Sequence, residues 1–177
     1  MPPQVKVPRE AIVEKAFELT RAYGFEKVTA RMLARELNCS TQPVYHTFKN
    51  MEDLKGEVYR KTRRFFDDYM KGSDKTDFLT MGMRYVELAR KEKNLFKLLC
   101  LSDSGNKLKS FSELADNAPG KMDPDVYVKT LIFTQGVATI VSSNTTKISK
   151  KEIEQMLTEA GKSFNSYQKD ILKEGSR

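Results

Sequence analysis

The stretch Gly24–Leu54, GFEKVTARMLARELNCSTQPVYHTFKNMEDL, places short helical patterns on either side of two tight breaks. Thr29 stands where an N-cap is expected, because its hydroxyl can accept from the unpaired amides that open the next helix. In that helix, predicted over residues 30–37, Leu33 and Leu37 lie four apart and form one apolar face. The pattern predicts a short helix that packs through one side.

A second short helix is predicted after a sharp turn. Asn38 tolerates the left-handed backbone conformation that such a turn requires. Ser40 is expected to cap the second helix, with Pro43 at its third position, where a missing amide costs little. Val44 and Phe48 would face the first helix, which leaves polar groups outward: Thr41, Gln42, Tyr45 and His46. Polar side chains near a helix start can reach base edges in the DNA major groove, so the segment indicates a helix-turn-helix.

Residues 8–54 resemble the DNA-binding domain of the TetR/AcrR family of bacterial transcriptional regulators. The matching features are the Tyr23-Gly24-Phe25 step that ends the first helix, the Val28-Thr29 opening, and Val44, Tyr45 and Phe48 near the close of the third helix. Two positions depart from the family pattern. Asn38 stands where Gly is usual in the turn, and Met51 replaces a Lys that touches phosphate, leaving Lys49 as the candidate for that contact.

From the outward face of the motif we expect base contacts from Thr41, Gln42, Pro43 and His46. Phosphate contacts are expected from Thr29, Ser40, Tyr45 and Lys49, with Arg31 able to serve in either role. One short helix makes few base contacts, each worth only about 1–3 kcal/mol of discrimination. Two such helices on one dimer would read a near-palindromic operator.

The rest of the chain shows helical patterns and no alternating strand pattern, so the predicted fold is all-α. A three-helix DNA-binding domain (1–54) is joined by a long fourth helix (51–71) to a helical regulatory and dimerisation domain (72–177). Helices after the fourth are predicted at Phe78–Lys91, Asn94–Leu101, Lys107–Asn117, 124–143 and 150–173, with a loop at 117–122. Asn50 is expected to cap the fourth helix, Asp123 before Pro124 is a helix-start signal, and Ser149 with Glu152 forms a capping box.

The last two helices carry apolar stripes that suit either an internal contact or a dimer. Gly136 in a helix interior costs roughly 1 kcal/mol relative to Ala, which a close helix approach would offset. TetR-like repressors dimerise through their last two long helices, so the resemblance favours the dimer. The interface residues expected on this basis are Phe133, Gly136, Val137, Ile140, Ile153, Leu157, Ala160, Phe164, Tyr167 and Ile171.

The resemblance also implies that the C-terminal region binds an unknown small-molecule effector. Aromatic, Met and Leu side chains at helical spacing are the candidates for the lining, although the same pattern is typical of ordinary core. The candidates are Phe66, Tyr69, Met83, Phe96, Leu99, Cys100, Phe111 and Phe133. The function implied is a ligand-responsive repressor that binds double-stranded DNA as a homodimer.

Composition and residue spacing limit the other functional classes that the chain could belong to. The net charge of +7 suits a nucleic-acid partner, and the absence of a signal peptide or long apolar run predicts a soluble, cytoplasmic protein. Cys39 and Cys100 lack the spacing of a metal site, so no metal, cofactor or disulfide is predicted. No catalytic constellation accompanies His46, the one histidine, so no enzyme activity is predicted. The alternative is a helical adaptor that binds a protein partner through the Ile153–Ile171 stripe.

Overall fold

The computed structural model describes residues 7–71, 78–100, 116, 118, 122–143 and 145–174, with side chains of the last helix described to residue 165. These residues contain α-helices, one short 3-10 helix and no β-strand, which confirms the all-α prediction. The α-helices are α1 (Arg9–Tyr23), α2 (Ala30–Glu36), α3 (Gln42–Thr47), α4 (Met51–Lys71), α5 (Phe78–Lys91), α6 (Lys93–Cys100), α7 (Pro124–Ser142) and α8 (Lys150–Glu174), and the 3-10 helix is Phe25–Lys27. The predicted helix Lys107–Asn117 lies outside the described residues.

The chain forms two compact units. The first comprises residues 1–71 and 92–105, and the second comprises residues 72–91 and 106–177. Of the helices described, α1–α4 and α6 belong to the first unit, and α5, α7 and α8 belong to the second. The chain therefore leaves the first unit after α4, contributes α5 to the second, and returns for α6.

The first unit is built around apolar side chains with no more than 1% exposure. They come from every helix of the predicted DNA-binding domain and from α4: Ile12, Leu33, Val44, Leu54 and Val58. Burying such a side chain contributes roughly 1.5–3 kcal/mol, so these residues stabilise the packing of α2 against α1 and α3, and of α4 against α1. The predicted inward residues Leu33, Val44 and Phe48 are buried, and Leu37 at the end of α2 is half-buried.

Helix α6 is attached to the C-terminal end of α1 by polar contacts. The Arg21 guanidinium pairs with Glu92, with its Nε donating to Oε2 at 2.7 Å. The amide of Asn94 donates to the Arg21 carbonyl at 3.0 Å, which satisfies a carbonyl that the end of a helix would leave unpaired. These contacts explain why a segment beyond α5 joins the N-terminal helices.

Most of the predicted helix caps are present. The Thr29 hydroxyl accepts from the Met32 amide at 3.2 Å, and Asn50 Oδ1 accepts from the Asp53 amide at 2.8 Å. Asp123 Oδ1 accepts from two amides at the start of α7, at 2.9 and 3.2 Å. The Ser149 amide donates to Glu152 at 2.7 Å while the Ser149 hydroxyl accepts from the Glu152 amide at 3.2 Å, as a capping box requires.

The predicted cap of α3 is wrong by one residue. The N-cap is Thr41 rather than Ser40, and its side chain makes no capping hydrogen bond. Thr41 already has helical dihedral angles, φ −72° and ψ −14°, and its carbonyl accepts from the Val44 and Tyr45 amides. Pro43 is consequently the second residue of α3 rather than the third. Its missing amide still falls within the first turn, where no helical partner exists.

In the second unit, α5 packs against both α7 and α8. The close approach occurs at Gly82, where a Cβ would lie 3.2 Å from Leu157 Cδ1 and 3.7 Å from Thr134. Gly136, for which a close approach was expected, has no described atom within 4 Å of an added Cβ. Gly136 therefore makes no close internal contact with the described part of the unit, and it faces outward.

Candidate nucleic-acid interface

Helix α3 has one buried face and one exposed polar face. Val44 and Phe48 are 1% and 2% exposed and hold the helix in the core. Gln42, Tyr45 and His46, spaced three and four residues apart, share the opposite side and are exposed. Tyr45 is 59% exposed, so its hydroxyl is open to solvent. The helix thus presents an amide, a phenol and an imidazole outward.

The turn between α2 and α3 fixes the angle at which this face is presented. Asn38 has a φ of 51°, the only positive value among the non-glycine residues that the structure describes. This conformation lets the Cys39 amide donate to the Ala34 carbonyl at 2.9 Å, which closes the C-terminal end of α2. The interpretation of Asn38 as a substitute for a turn glycine is confirmed.

The side chains predicted to hold phosphates come from the start of α2, from α3 and from the residues on either side of α3. Thr29, Arg31, Ser40 and Lys49 are all exposed. The Thr29 hydroxyl accepts from its capped amide and keeps its own proton for donation to a phosphate. Two of the predicted base-contacting residues, Thr41 and Pro43, are half-buried and offer less surface than their neighbours.

Arg31 in α2 and Lys49 shortly after α3 carry exposed positive charge. Within the described ranges neither side chain takes part in an ion pair, whereas Arg35 on the same helix as Arg31 pairs with Glu36 at 3.1 Å. Charges without a protein partner can replace the counterions of a phosphate backbone. The Lys49 amide donates to Asp53 Oδ2 at 3.4 Å, which fixes the backbone of Lys49 at the start of α4.

Residues 12–58 match the family model described as "Bacterial regulatory proteins, tetR family". The N-terminal domain belongs to the TetR family. The matched segment spans most of α1, all of α2 and α3, and the start of α4, and it contains every residue predicted to contact DNA. No curated protein matches the chain. The predicted family is confirmed, and the TetR family consists of DNA-binding transcriptional regulators.

The residues predicted to line an effector site are distributed over both units. Phe66, Tyr69, Phe96, Leu99 and Cys100 belong to the first unit, Met83 and Phe133 belong to the second, and Phe111 lies outside the described residues. Phe66 and Phe96 are stacked with ring centroids 6.5 Å apart, and both are at most 4% exposed. In the TetR-like first unit these two rings are core.

An open groove of about 450 Å³ lies in the second unit between α5 and α8. Its lining residues are Phe78, Leu79, Leu157, Thr158, Gly161, Lys162 and Asn165, and none of them was among the predicted effector residues. The sequence offered little to find it, because Gly161 and Leu157 are ordinary helix positions until α5 is placed beside them.

The residues predicted to form the dimer interface differ in solvent exposure. Val137, Ile153 and Leu157 are at most 4% exposed and pack inside the second unit. Phe133, Ala160 and Phe164 are half-buried, and the side chains of Tyr167 and Ile171 lie outside the described residues. Gly136 and Ile140 are exposed, and Ile132, which was not among the predicted interface residues, is 57% exposed on the same face. Its spacing of four residues from Gly136 was the available signal.

Among the residues whose placement is described, no group of His, Cys, Asp and Glu is arranged to hold a metal ion. None of the helices in those ranges is both long and apolar enough to cross a membrane. The helix-turn-helix remains the best-defined functional feature of the molecule.

Proposed function

We propose that the protein is a ligand-responsive repressor that binds a near-palindromic operator as a homodimer. The observation that carries the proposal is the exposed face of α3, with Gln42, Tyr45 and His46 outward on a helix-turn-helix of the TetR family. Gln42 and His46 supply the hydrogen-bonding groups that read base edges, and Tyr45 supplies a hydroxyl for phosphate. We place the protein in the cytoplasm, where bacterial DNA lies. Its proposed role is that of a regulator and not of an enzyme.

An exposed apolar face on α7 supports the dimer. Ile132, Gly136 and Ile140 follow one another at intervals of four residues, and the two isoleucines are 57% and 43% exposed. A partner helix could approach closely at Gly136, where no described atom occupies the space. The dimer would place two copies of α3 about one DNA turn apart, ~34–36 Å or somewhat more, and so double the base contacts.

The open groove between α5 and α8 supports a response to a ligand. Its volume of about 450 Å³ falls in the range of roughly 300–1,000 Å³ typical of small-molecule sites. Phe78, Leu79 and Leu157 would contact an apolar body, while Lys162 and Asn165 would contact polar groups. An effector bound there relieves repression only if it binds one conformation of the dimer more tightly than the other.

A salt titration with matched tyrosine variants tests the DNA-binding proposal. Tyr45→Phe removes the hydroxyl that we assign to phosphate, and Tyr23→Phe removes a hydroxyl of similar exposure, 55% against 59%, at the end of α1. Fluorescence anisotropy on labelled duplex DNA should show affinity falling steeply between 50 and 200 mM salt, by roughly 10³-fold or more for several phosphate contacts. Tyr45→Phe should weaken binding several-fold, and Tyr23→Phe should not.

Two results would contradict this proposal. If the protein bound no DNA even at low salt and captured a protein partner through the Ile153–Ile171 stripe of α8, the helical-adaptor alternative would be favoured. Equal effects of Tyr45→Phe and Tyr23→Phe would show that the Tyr45 hydroxyl makes no specific contact with phosphate.

A further inference from the structure

The first residue of α1, Arg9, joins three parts of the DNA-binding domain through one guanidinium. Its Nη1 donates to the Thr47 carbonyl at 3.4 Å, and its Nη2 pairs with Glu57 Oε1 at 2.6 Å. Its Cζ lies 4.5 Å from the centroid of the Phe48 ring. Thr47 is the last residue of α3 and Glu57 lies in α4, so the start of α1, the end of α3 and α4 meet at Arg9.

The chemistry at this junction suits a guanidinium. The last carbonyls of a helix have no helical partner and carry the negative end of its dipole, so a cation that donates to one of them is favourable. The planar guanidinium can also stack on an aromatic ring while its separate N–H groups bond elsewhere. Phe48 is 2% exposed and therefore gives Arg9 a fixed surface.

Glu57 is held ionised at the centre of the junction. Arg60 donates to it through Nε at 3.2 Å and pairs through Nη2 at 2.8 Å. Hydrogen bonds from Arg60 and Arg9 lower the pKa of Glu57 to about 2. Arg60 shares this carboxylate with Arg9, but no hydrogen bond or ion pair joins it to α3 in the described part of the domain.

Helix α3 needs such an external anchor because it is only six residues long. A helix this short is unstable on its own, so its orientation depends on contacts with the rest of the domain. Base reading tolerates errors of only about 0.5 Å and 10–20° in the placement of a site. Val44 and Phe48 hold one face of α3, and Arg9 holds its C-terminal carbonyl.

We propose that Arg9 is a positioning residue for DNA reading: it clamps the C-terminal end of α3 to α4 through Thr47, Phe48 and Glu57. The proposal rests on the function proposed above. Arg9 acts without touching DNA, by fixing the angle at which Gln42 and its neighbours meet the base edges. The local sequence does not indicate this role, because Arg9 is separated from Thr47 by 38 positions and from Glu57 by 48.

The test compares Arg9→Gln with Arg60→Gln, which removes the other arginine from the same carboxylate. Without DNA, amide hydrogen exchange of the α3 turn ending at Phe48 should quicken in Arg9→Gln and stay unchanged in Arg60→Gln. On a selected binding site, Arg9→Gln should lose roughly tenfold or more in affinity. Its affinity for random duplex DNA and the slope of affinity against salt should remain those of the wild type.

A lysine variant provides a second readout. In Arg9→Lys the ammonium can still pair with Glu57 but lacks the fork that reaches Thr47 at the same time. We expect it to restore thermal stability while leaving affinity for the selected site reduced. Restoration of both by lysine would overturn the clamp, because a simple ion pair would then suffice.

Other outcomes are also decisive. Arg9→Gln could instead reduce the slope of log affinity against log salt concentration by about one and weaken binding to random DNA. Arg9 would then be a phosphate contact, and the proposal would be overturned. Unchanged exchange in α3, or equal effects of the Arg9 and Arg60 variants, would overturn it as well. If the wild type bound no DNA, the proposed function would fail, while the exchange comparison would still decide whether Arg9 clamps α3.

Discussion

At the scale of single residues, Gly24 has a backbone conformation that any side chain would strain. Its dihedral angles are φ 84° and ψ 146°, a region that side-chain-bearing residues rarely adopt, and an added Cβ would lie 3.2 Å from Glu26 Oε2. We expect Gly24→Ala to lower the free energy of unfolding by on the order of 1–3 kcal/mol, because the conformation must be kept against steric strain. Chemical denaturation measures this change.

Gly56→Ala is the matched control for Gly24→Ala. Gly56 lies inside α4, and the only described atom within 4 Å of its added Cβ is the flexible end of Arg60, at 3.8 Å. Alanine there should stabilise the domain by roughly 0.5–1 kcal/mol, because glycine is the poorer helix former. Equal destabilisation by both substitutions would show that the left-handed conformation at Gly24 is not the cause.

Glu57 should make stability depend on pH in the acid range. Hydrogen bonds from Arg60 and Arg9 lower its pKa from the usual 4.5 to about 2. Because the folded-state pKa is the lower one, the ionised carboxylate stabilises the domain fully above pH 4.5, and this contribution is lost as the pH falls toward 2. Thermal unfolding of wild type and Glu57→Gln should therefore differ most above pH 4.5 and converge on acidification. A constant difference would contradict the pKa.

At the scale of elements, sequence predicted what local interactions determine. Thr29, Asn50, Asp123 and Ser149 each bond an amide within three residues, so their capping roles were visible in the sequence. The start of α3 was less certain because Ser40 and Thr41 are both good capping residues, and the choice depends on backbone angles. The helical dihedral angles of Thr41 decide it.

Contacts between distant elements could not be predicted in the same way. Gly82 and Gly136 both lie inside helices, and nothing near either residue in the sequence shows that only Gly82 meets Leu157. The contact depends on where α8 lies against α5. Arg9 is similar, since its role depends on α3 and α4 arriving beside the start of α1.

At the scale of the whole molecule, the exposed face of α7 predicts the effect of a charge on assembly. Gly136→Arg places a long cation where the described monomer has open space, so each subunit should fold normally. In a dimer packed through this face the charge would be buried without a partner, at a cost of several kcal/mol. Sedimentation should therefore show a dimer weakened by at least about a hundredfold.

Gln155→Arg is the control for the charge at Gly136. Gln155 is exposed on α8, where its amide donates to Glu159, and it lies outside both predicted interface stripes. The added arginine should leave the dimer intact. A dimer that survives Gly136→Arg but dissociates with Gln155→Arg would move the interface away from α7.

The central claim is that the protein binds DNA as a dimer whose two α3 helices read a two-fold symmetric site. Selection of bound sequences from a random duplex pool, performed with wild type and with Gln42→Ala, tests it most directly. We predict an enriched near-palindrome for the wild type, and for Gln42→Ala the same half-site spacing with a relaxed base preference at one position in each half. A wild-type pool without an enriched motif, or a Gln42→Ala motif identical to that of the wild type, would contradict the claim.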